Sequence, residues 1–292
     1  MFDAIDFNPN LRWIDPISEM AFLVMDLQIH HARSLAITTL NTWLECSGAY
    51  AGMDLWPWYH AYRAMVRAKV SALQMEQSTT ASTKQRLGDE LASYLQTASQ
   101  DEVPPAGGLV LMHGLSGSGK STLSAQLCIS LEAVRIRSDR ERRRAFEPSG
   151  VTPARFSGDP YRAEISRWLF EQQLPKLTER CLMSGYAVIV DATFLRRRER
   201  QTMLDLAARL HRPAAIVHCS CSDSTAQSRL SQRAQRGDDP SEADFQVRQQ
   251  QHNWLEPLTA EEKLRTVTAH ESTPLAAVQT AVQQLLKSPL RA

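Results

Sequence analysis

The sequence is short of cysteine, of long apolar runs and of net charge, and each shortage excludes a class of protein. Five cysteines in 292 residues (Cys46, Cys128, Cys181, Cys219 and Cys221) are too few and too scattered for a disulfide framework. Cys219 and Cys221 close an apolar run, where buried thiols are expected, and no second Cys or His pair at ligand spacing stands nearby to make a metal site. No stretch approaches the ~18 apolar residues of a membrane span, and the opening MFDAIDFNPN is acidic, without the basic n-region of a secretion signal. A cytoplasmic protein with no membrane association is therefore expected. A formal charge of +1 gives no general attraction for nucleic acid or lipid.

What remains is a chain with 43% hydrophobic and 22% charged residues, able to bury a core and long enough for about two domains. The charge is unevenly shared. Residues 1–78 hold 5 basic and 8 acidic side chains, and residues 109–292 hold 26 and 20. The second part is thus mildly basic, as a polyphosphate-binding domain would be, although solvated arginines on helix faces give the same figure.

Periodicity divides the chain in the same place. Ile37, Leu40 and Leu44, then Tyr62, Val66, Val70 and Leu73, recur at helical spacing, so residues 18–78 read as helices, with the Met and Trp positions of 13–66 as their core. Residues 79–108 read as one short amphipathic helix (Leu87, Leu91, Leu95) and a linker, DEVPPAGG. From 109 to 292, short apolar runs at 109–113, 133–137, 186–190, 214–219 and 265–269 alternate with helical stripes such as Met203, Leu206, Ala207, Leu210 and Leu275, Val278, Val282, Leu285. Continuously apolar strands separated by helices predict an α/β domain with a parallel sheet covered on both faces.

The first run leads directly into Gly114–Leu115–Ser116–Gly117–Ser118–Gly119–Lys120–Ser121–Thr122, the G-x-x-x-x-G-K-[ST] pattern at a strand-to-helix junction. Its glycines let successive backbone N–H groups turn inward on a β-phosphate, and the following helix adds the positive end of its dipole. Lys120 reaches the β- and γ-phosphates, and Ser121, with Thr122 beside it, places a hydroxyl on Mg²⁺. The ligand expected is a nucleoside triphosphate. His113, just before the loop, either lies near the phosphate or caps a buried strand end, and the second reading is favoured.

Three further patterns bear on chemistry. Ala187–Val188–Ile189–Val190 ends in Asp191, a carboxylate that either holds Mg²⁺ beside the loop or caps the next helix. Asp139 and Arg142 share a helix face. They either enter the cleft, as acceptor base and anion holder, or belong to an exposed basic helix. Arg229, Arg233 and Arg236 line one face before Gly237–Asp238–Asp239–Pro240 and fit a mobile segment that neutralises transferring phosphate, or a solvated surface. The denser cluster Arg196, Arg197, Arg198 and Arg200 reads as surface.

GLSGSGKST, the RSD-x-x-R element at Arg137 to Arg142, VIVDATF at Val188 to Phe194 and the SRLSQRAQRGDD stretch together resemble the P-loop kinases that include polynucleotide kinase, gluconate kinase, chloramphenicol phosphotransferase and zeta toxins. The resemblance covers about residues 107–290. It implies a three-layer α/β/α P-loop domain with a five-stranded parallel sheet in the order 2-3-1-4-5, ATP with Mg²⁺, Asp139 as base, Arg142 on the acceptor, and lid arginines among Arg229, Arg233 and Arg236. Residues Phe2 to Leu27 are similar to the segment after the catalytic loop of aminoglycoside phosphotransferase-like proteins, which implies a metal-binding Asp at Asp3 and a structural Asp at Asp15. No H-G-D-x-H-x-x-x-N loop occurs in the chain, so residues 1–78 are expected to be a truncated helical remnant without activity of their own, in a relative or fragment that begins at an internal Met.

The expectation is an ATP-dependent kinase acting on a hydroxyl of a small molecule. A polynucleotide 5′-hydroxyl is disfavoured because the Arg clusters near 140 and 196 have few aromatics beside them for stacking. A nucleotide-hydrolysing regulator, partnered through the N-terminal helices, is the alternative.

Overall fold

A computed structural model describes residues 13–100, 107–148, 154–236 and 245–287. The helical part begins where Asp15 accepts the N–H of Ile17 and Pro16 takes the first helical position, so α1 runs Pro16–Ile29. The same carboxylate accepts from Tyr59, which gives Asp15 a structural role on local grounds. Helix α2 (Arg33–Ser47) stops at Gly48, whose φ of 70° closes it in the left-handed conformation. A 3₁₀ turn at Tyr50–Leu55 leads to α3 (Trp56–Gln77). Helix α4 (Ala81–Gln100) is longer than the short helix expected and packs along α3. Met25, Met53 and Trp56 are buried as expected, but Trp13, Trp58 and Met65 are half or more exposed, a correction to their reading as core. Helical spacing marks a shared face without saying whether that face is covered. Asp3 lies outside the described residues.

The second part follows the alternation in the sequence. Its elements are β1 (Leu109–His113), α5 (Lys120–Leu131), β2 (Val134–Arg137), α6 (Ser138–Arg144), α7 (Ala163–Trp168), α8 (Leu174–Met183) after one π turn, β3 (Val188–Asp191), α9 (Arg197–Arg209), β4 (Ala214–Ser220), α10 (Asp223–Arg236), α11 (Phe245–Trp254), α12 (Ala260–Lys263), β5 (Thr266–His270) and α13 (Leu275–Lys287). All strand pairs are parallel and the order is β2-β3-β1-β4-β5. Register sets Arg137 beside Asp191 and His113 beside His218, so the carboxyl ends of the strands gather at one edge. That edge is where open parallel sheets bind ligands.

Side chains alternate between two cores. Val110, Met112, Ile189 and Val217 face one way and pack with Leu127, Val278 and Val282. Leu109, Leu111, Val134, Ile136, Val188, Val190 and Ile216 face the other, in a cluster that also holds Leu40, Leu44, Tyr50 and Trp56 of the N-terminal helices. The helices thus share a core with the sheet. They also cover its edge strand: Asn41 donates to Ala133 O at 2.9 Å and accepts from Arg135 N at 2.6 Å, and Tyr50 donates to Arg135 O. Side chains of α2 and the 3₁₀ turn satisfy backbone groups that another strand would otherwise pair.

Candidate active site

At the carboxyl edge lies a cavity of about 810 Å³ lined by Ser116 to Thr122, Asp139, Arg142, Asp191, Arg229 and Arg233, with Tyr161, Glu199 and Trp254. The loop that opens it needs its glycines. Gly114 has φ 136°, its N–H reaches Thr193 O, and a Cβ there would run into Cys219 O; Gly119 has φ 93°. Gly114 and Leu115 support the loop from outside the cavity lining. Lys120, the first residue of α5, is buried and donates from Nζ to Leu115 O at 2.7 Å. Burial lowers its pKa, against the pull of Asp191 and Asp139. Ser118 Oγ lies buried in the lining with no hydrogen-bond partner, which a phosphate oxygen would supply.

Asp191 ends β3 and is buried. Its Oδ2 accepts from Ser124 Oγ at 3.1 Å, and α9 starts only at Arg197, so the carboxylate does not cap that helix. Ser121 and Asp191 therefore face the same space from α5 and β3, a pair of oxygen ligands suited to Mg²⁺. Across the cavity, Asp139 and Arg142 enter from α6 as one face. Arg142 is buried. Its Nη1 donates to Pro160 O at 2.9 Å and Ser166 Oγ at 3.3 Å, its guanidinium stands 5.0 Å from the Tyr161 ring centre, and its Nε has no partner. Burial pushes its pKa down, and Asp139 opposes this. On α10, Arg229 Nη1 reaches Gly117 O at 3.4 Å and would touch a Cβ on Gly119, so it lies over the loop. Arg233 lines the cavity, whereas the side chain of Arg236 and residues 237–244 lie outside the described residues.

Several residues of the site carry no motif. Buried Arg248 of α11 donates to Ser116 O at 2.7 Å and to Asp223 Oδ1 at 2.9 Å, while Gln251 accepts from Ser116 N at 2.8 Å and donates to Ser116 Oγ at 2.9 Å. Together they clamp the loop from α11. Glu199, whose pKa burial raises, accepts from Arg196 N at 3.3 Å, and Arg196 stands 5.9 Å from the Trp254 ring centre.

Arg200 corrects the surface reading of its cluster. It is fully buried, paired with Glu262 (2.6 and 3.1 Å) and bonded to the carbonyls of Phe194, Leu195, Glu256 and Pro257. His113 is buried at its strand end as expected, but against His218, Nδ1 to Nδ1 2.7 Å. Cys219 is buried, and its thiol is pushed up to about 11. Among the described residues no group of three or more His, Cys, Asp or Glu is arranged to hold a metal, and no helix is long and apolar enough to cross a membrane.

The family model described as "AAA domain" matches residues 109–258, from the first strand through the loop, Asp139, Asp191 and α11. The chain belongs to that family. An uncharacterized protein of Mycobacterium tuberculosis strain H37Rv, Rv2004c, and one of Mycobacterium bovis, Mb2027c, are each 31% identical over 224 residues, 76% of this chain and 43% of theirs. The chain therefore spans less than half the length of these relatives. The match is longer than the stretch from Leu109 to the end, so the likeness reaches into the helices before the AAA domain. Among solved structures, a gluconokinase from Sinorhizobium meliloti 1021 is 22% identical (TM-score 0.44; 63% of this chain, 95% of that one). Kti12 of Chaetomium thermophilum, in complex with ADP-AlF3, is 15% identical (0.49; 62% and 100%). The Mycobacterium tuberculosis APS kinase CysC, in complex with AMPPNP and APS, is 18% identical (0.42; 63% and 100%).

Proposed function

We propose that this AAA domain protein is a kinase that moves the γ-phosphoryl group of ATP to a hydroxyl of a small molecule. The observation that carries the reading is one shared cavity, with the phosphate loop, Lys120 and Asp191 on one side and Asp139 and Arg142 on the other. A site that only hydrolyses nucleotide has no need of the second half.

In this reading the loop amides, Ser118 and Lys120 hold the β- and γ-phosphates, and Ser121 and Asp191 hold Mg²⁺, which when bound offsets charge on the phosphate oxygens. Asp139 accepts the proton of the acceptor hydroxyl as its oxygen bonds to the γ-phosphorus and ADP departs. Arg142, with a buried Nε to spare, orients a polar or anionic part of the acceptor. Arg229 lies where it offsets charge on the transferring group, with Arg233 and Arg236 on the same helix. Residues 1–78, read as a remnant of an aminoglycoside phosphotransferase-like domain from the resemblance of Phe2 to Leu27, supply support and no phosphoryl transfer of their own.

The test is ADP release from wild type and Asp139→Asn with sugars, aminoglycosides, nucleosides and 5′-hydroxyl oligonucleotides. An acceptor that stimulates wild type, with a loss of about a hundredfold or more in Asp139→Asn at similar affinity for ATP, supports the assignment. Turnover that ignores every acceptor and the Asp139 substitution points to a nucleotide-hydrolysing regulator instead.

A further inference from the structure

Helix α2 reaches the site through the edge strand. Glu45 stands against two arginines of β2, with Oε1 2.6 Å from Arg135 Nη2 and Oε2 3.7 Å from Arg137 Nη1. Arg137 lies between Glu45 and its register partner Asp191, with Nε 3.9 Å from Asp191 Oδ2. The side chains of Glu45, Arg135, Arg137 and Asp191 are only 11, 15, 13 and 4% exposed, so solvent and salt screen these charges weakly. Burial works against the charge on Arg135, and Glu45 and Asp191 outweigh it, raising its pKa. Glu45 is itself fixed, because its backbone carbonyl accepts from Arg144 Nη2 at 2.6 Å.

A guanidinium next to a carboxylate closes to about 2.8 Å when nothing holds it back. Arg137 closes on neither carboxylate, standing 3.7 Å from Glu45 and 3.9 Å from Asp191, and Asp191 Oδ2 takes its hydrogen bond from Ser124. We infer that Glu45 is a positioning residue for the cation-binding carboxylate. It shares Arg137 with Asp191, so that the guanidinium does not close on Asp191, and this keeps the carboxylate available to Mg²⁺. A helix outside the AAA domain match thereby sets the cation affinity of the site. This rests on the assignment of Asp191 given above.

The experiment measures Mg²⁺-dependent binding of a fluorescent ATP analogue to the full chain: wild type, Glu45→Gln, Glu45→Asp, Arg137→Gln and the Glu45→Gln/Arg137→Gln double variant. Freed from Glu45, Arg137 competes for Asp191. Half-saturating Mg²⁺ should then rise about fivefold in Glu45→Gln, the scale of one partly buried ion pair, while analogue affinity at saturating Mg²⁺ changes by no more than about twofold. Glu45→Asp should restore part of the shift, and in the Arg137→Gln background Glu45→Gln should cause none. An unchanged Mg²⁺ curve for a folded Glu45→Gln overturns the inference. So does an equal shift with and without Arg137, which would make Glu45 only an anchor for α2. If thermal melting shows Glu45→Gln unfolded, Glu45→Asp carries the comparison: a smaller shift in the same direction supports the inference, and none overturns it. Wild type that binds no nucleotide overturns the kinase reading and this inference together, whereas a normal wild type beside an unresponsive Glu45→Gln overturns this inference alone.

Discussion

At the residue scale, the two most consequential buried groups are Arg200 and His113. Arg200 gives all its donor nitrogens to Glu262 and four carbonyls, with no exposure to water. Burial raises the pKa of Glu262, and the Arg200 bond outweighs it, leaving the carboxylate favoured. Arg200→Ala strands that charge and should cost about 3–5 kcal/mol in denaturant unfolding. His113 shows the opposite response to burial: desolvation, followed by His218, Arg200 and Lys120, lowers its pKa from 6.5 to about 3. The unfolded chain binds a proton there below about 6.5 that the folded chain refuses until about 3, so stability falls as pH drops through that window. Urea unfolding at pH 7 and pH 5 should show this loss, and His113→Gln should make it smaller.

At the scale of elements, the strand-to-helix junctions were legible because their signals are local. The phosphate loop, Asp139 with Arg142, and Asp191 each lie within one short stretch, and their spacing carries their geometry. The clamp on Ser116 was not legible. Arg248 and Gln251 meet it across 132 and 135 residues, and the His113–His218 pair spans 105. The placement of β4 beside β1 brings the two histidines together, and the packing of α11 against the loop brings Arg248 and Gln251 to Ser116. Arg200 was misread because four of its partners are backbone carbonyls, which every sequence possesses and no pattern advertises. The edge of β2 is a further long-range device, with Asn41 standing in for a neighbouring strand. Asn41→Ala leaves Ala133 O and Arg135 N unpaired beside the core, and should destabilise the protein by about 1–3 kcal/mol in thermal or denaturant unfolding.

For the whole molecule, periodicity gave five strands in a parallel sheet, but the order 2-3-1-4-5 came through family resemblance, because apolar runs carry no address for their neighbours. The placement of α2 against β2 had no signal in the sequence at all. A helical part that appeared to stand before a linker instead shares a core with the sheet and sends Glu45 toward the site. The most direct test of the central claim follows the labelled γ-phosphoryl of ATP in the full chain, comparing wild type with Lys120→Ala across the acceptor panel. The account predicts label on an acceptor hydroxyl with wild type, and a loss of about a hundredfold or more with Lys120→Ala. Label released only to water, or transfer unchanged in Lys120→Ala, would contradict it.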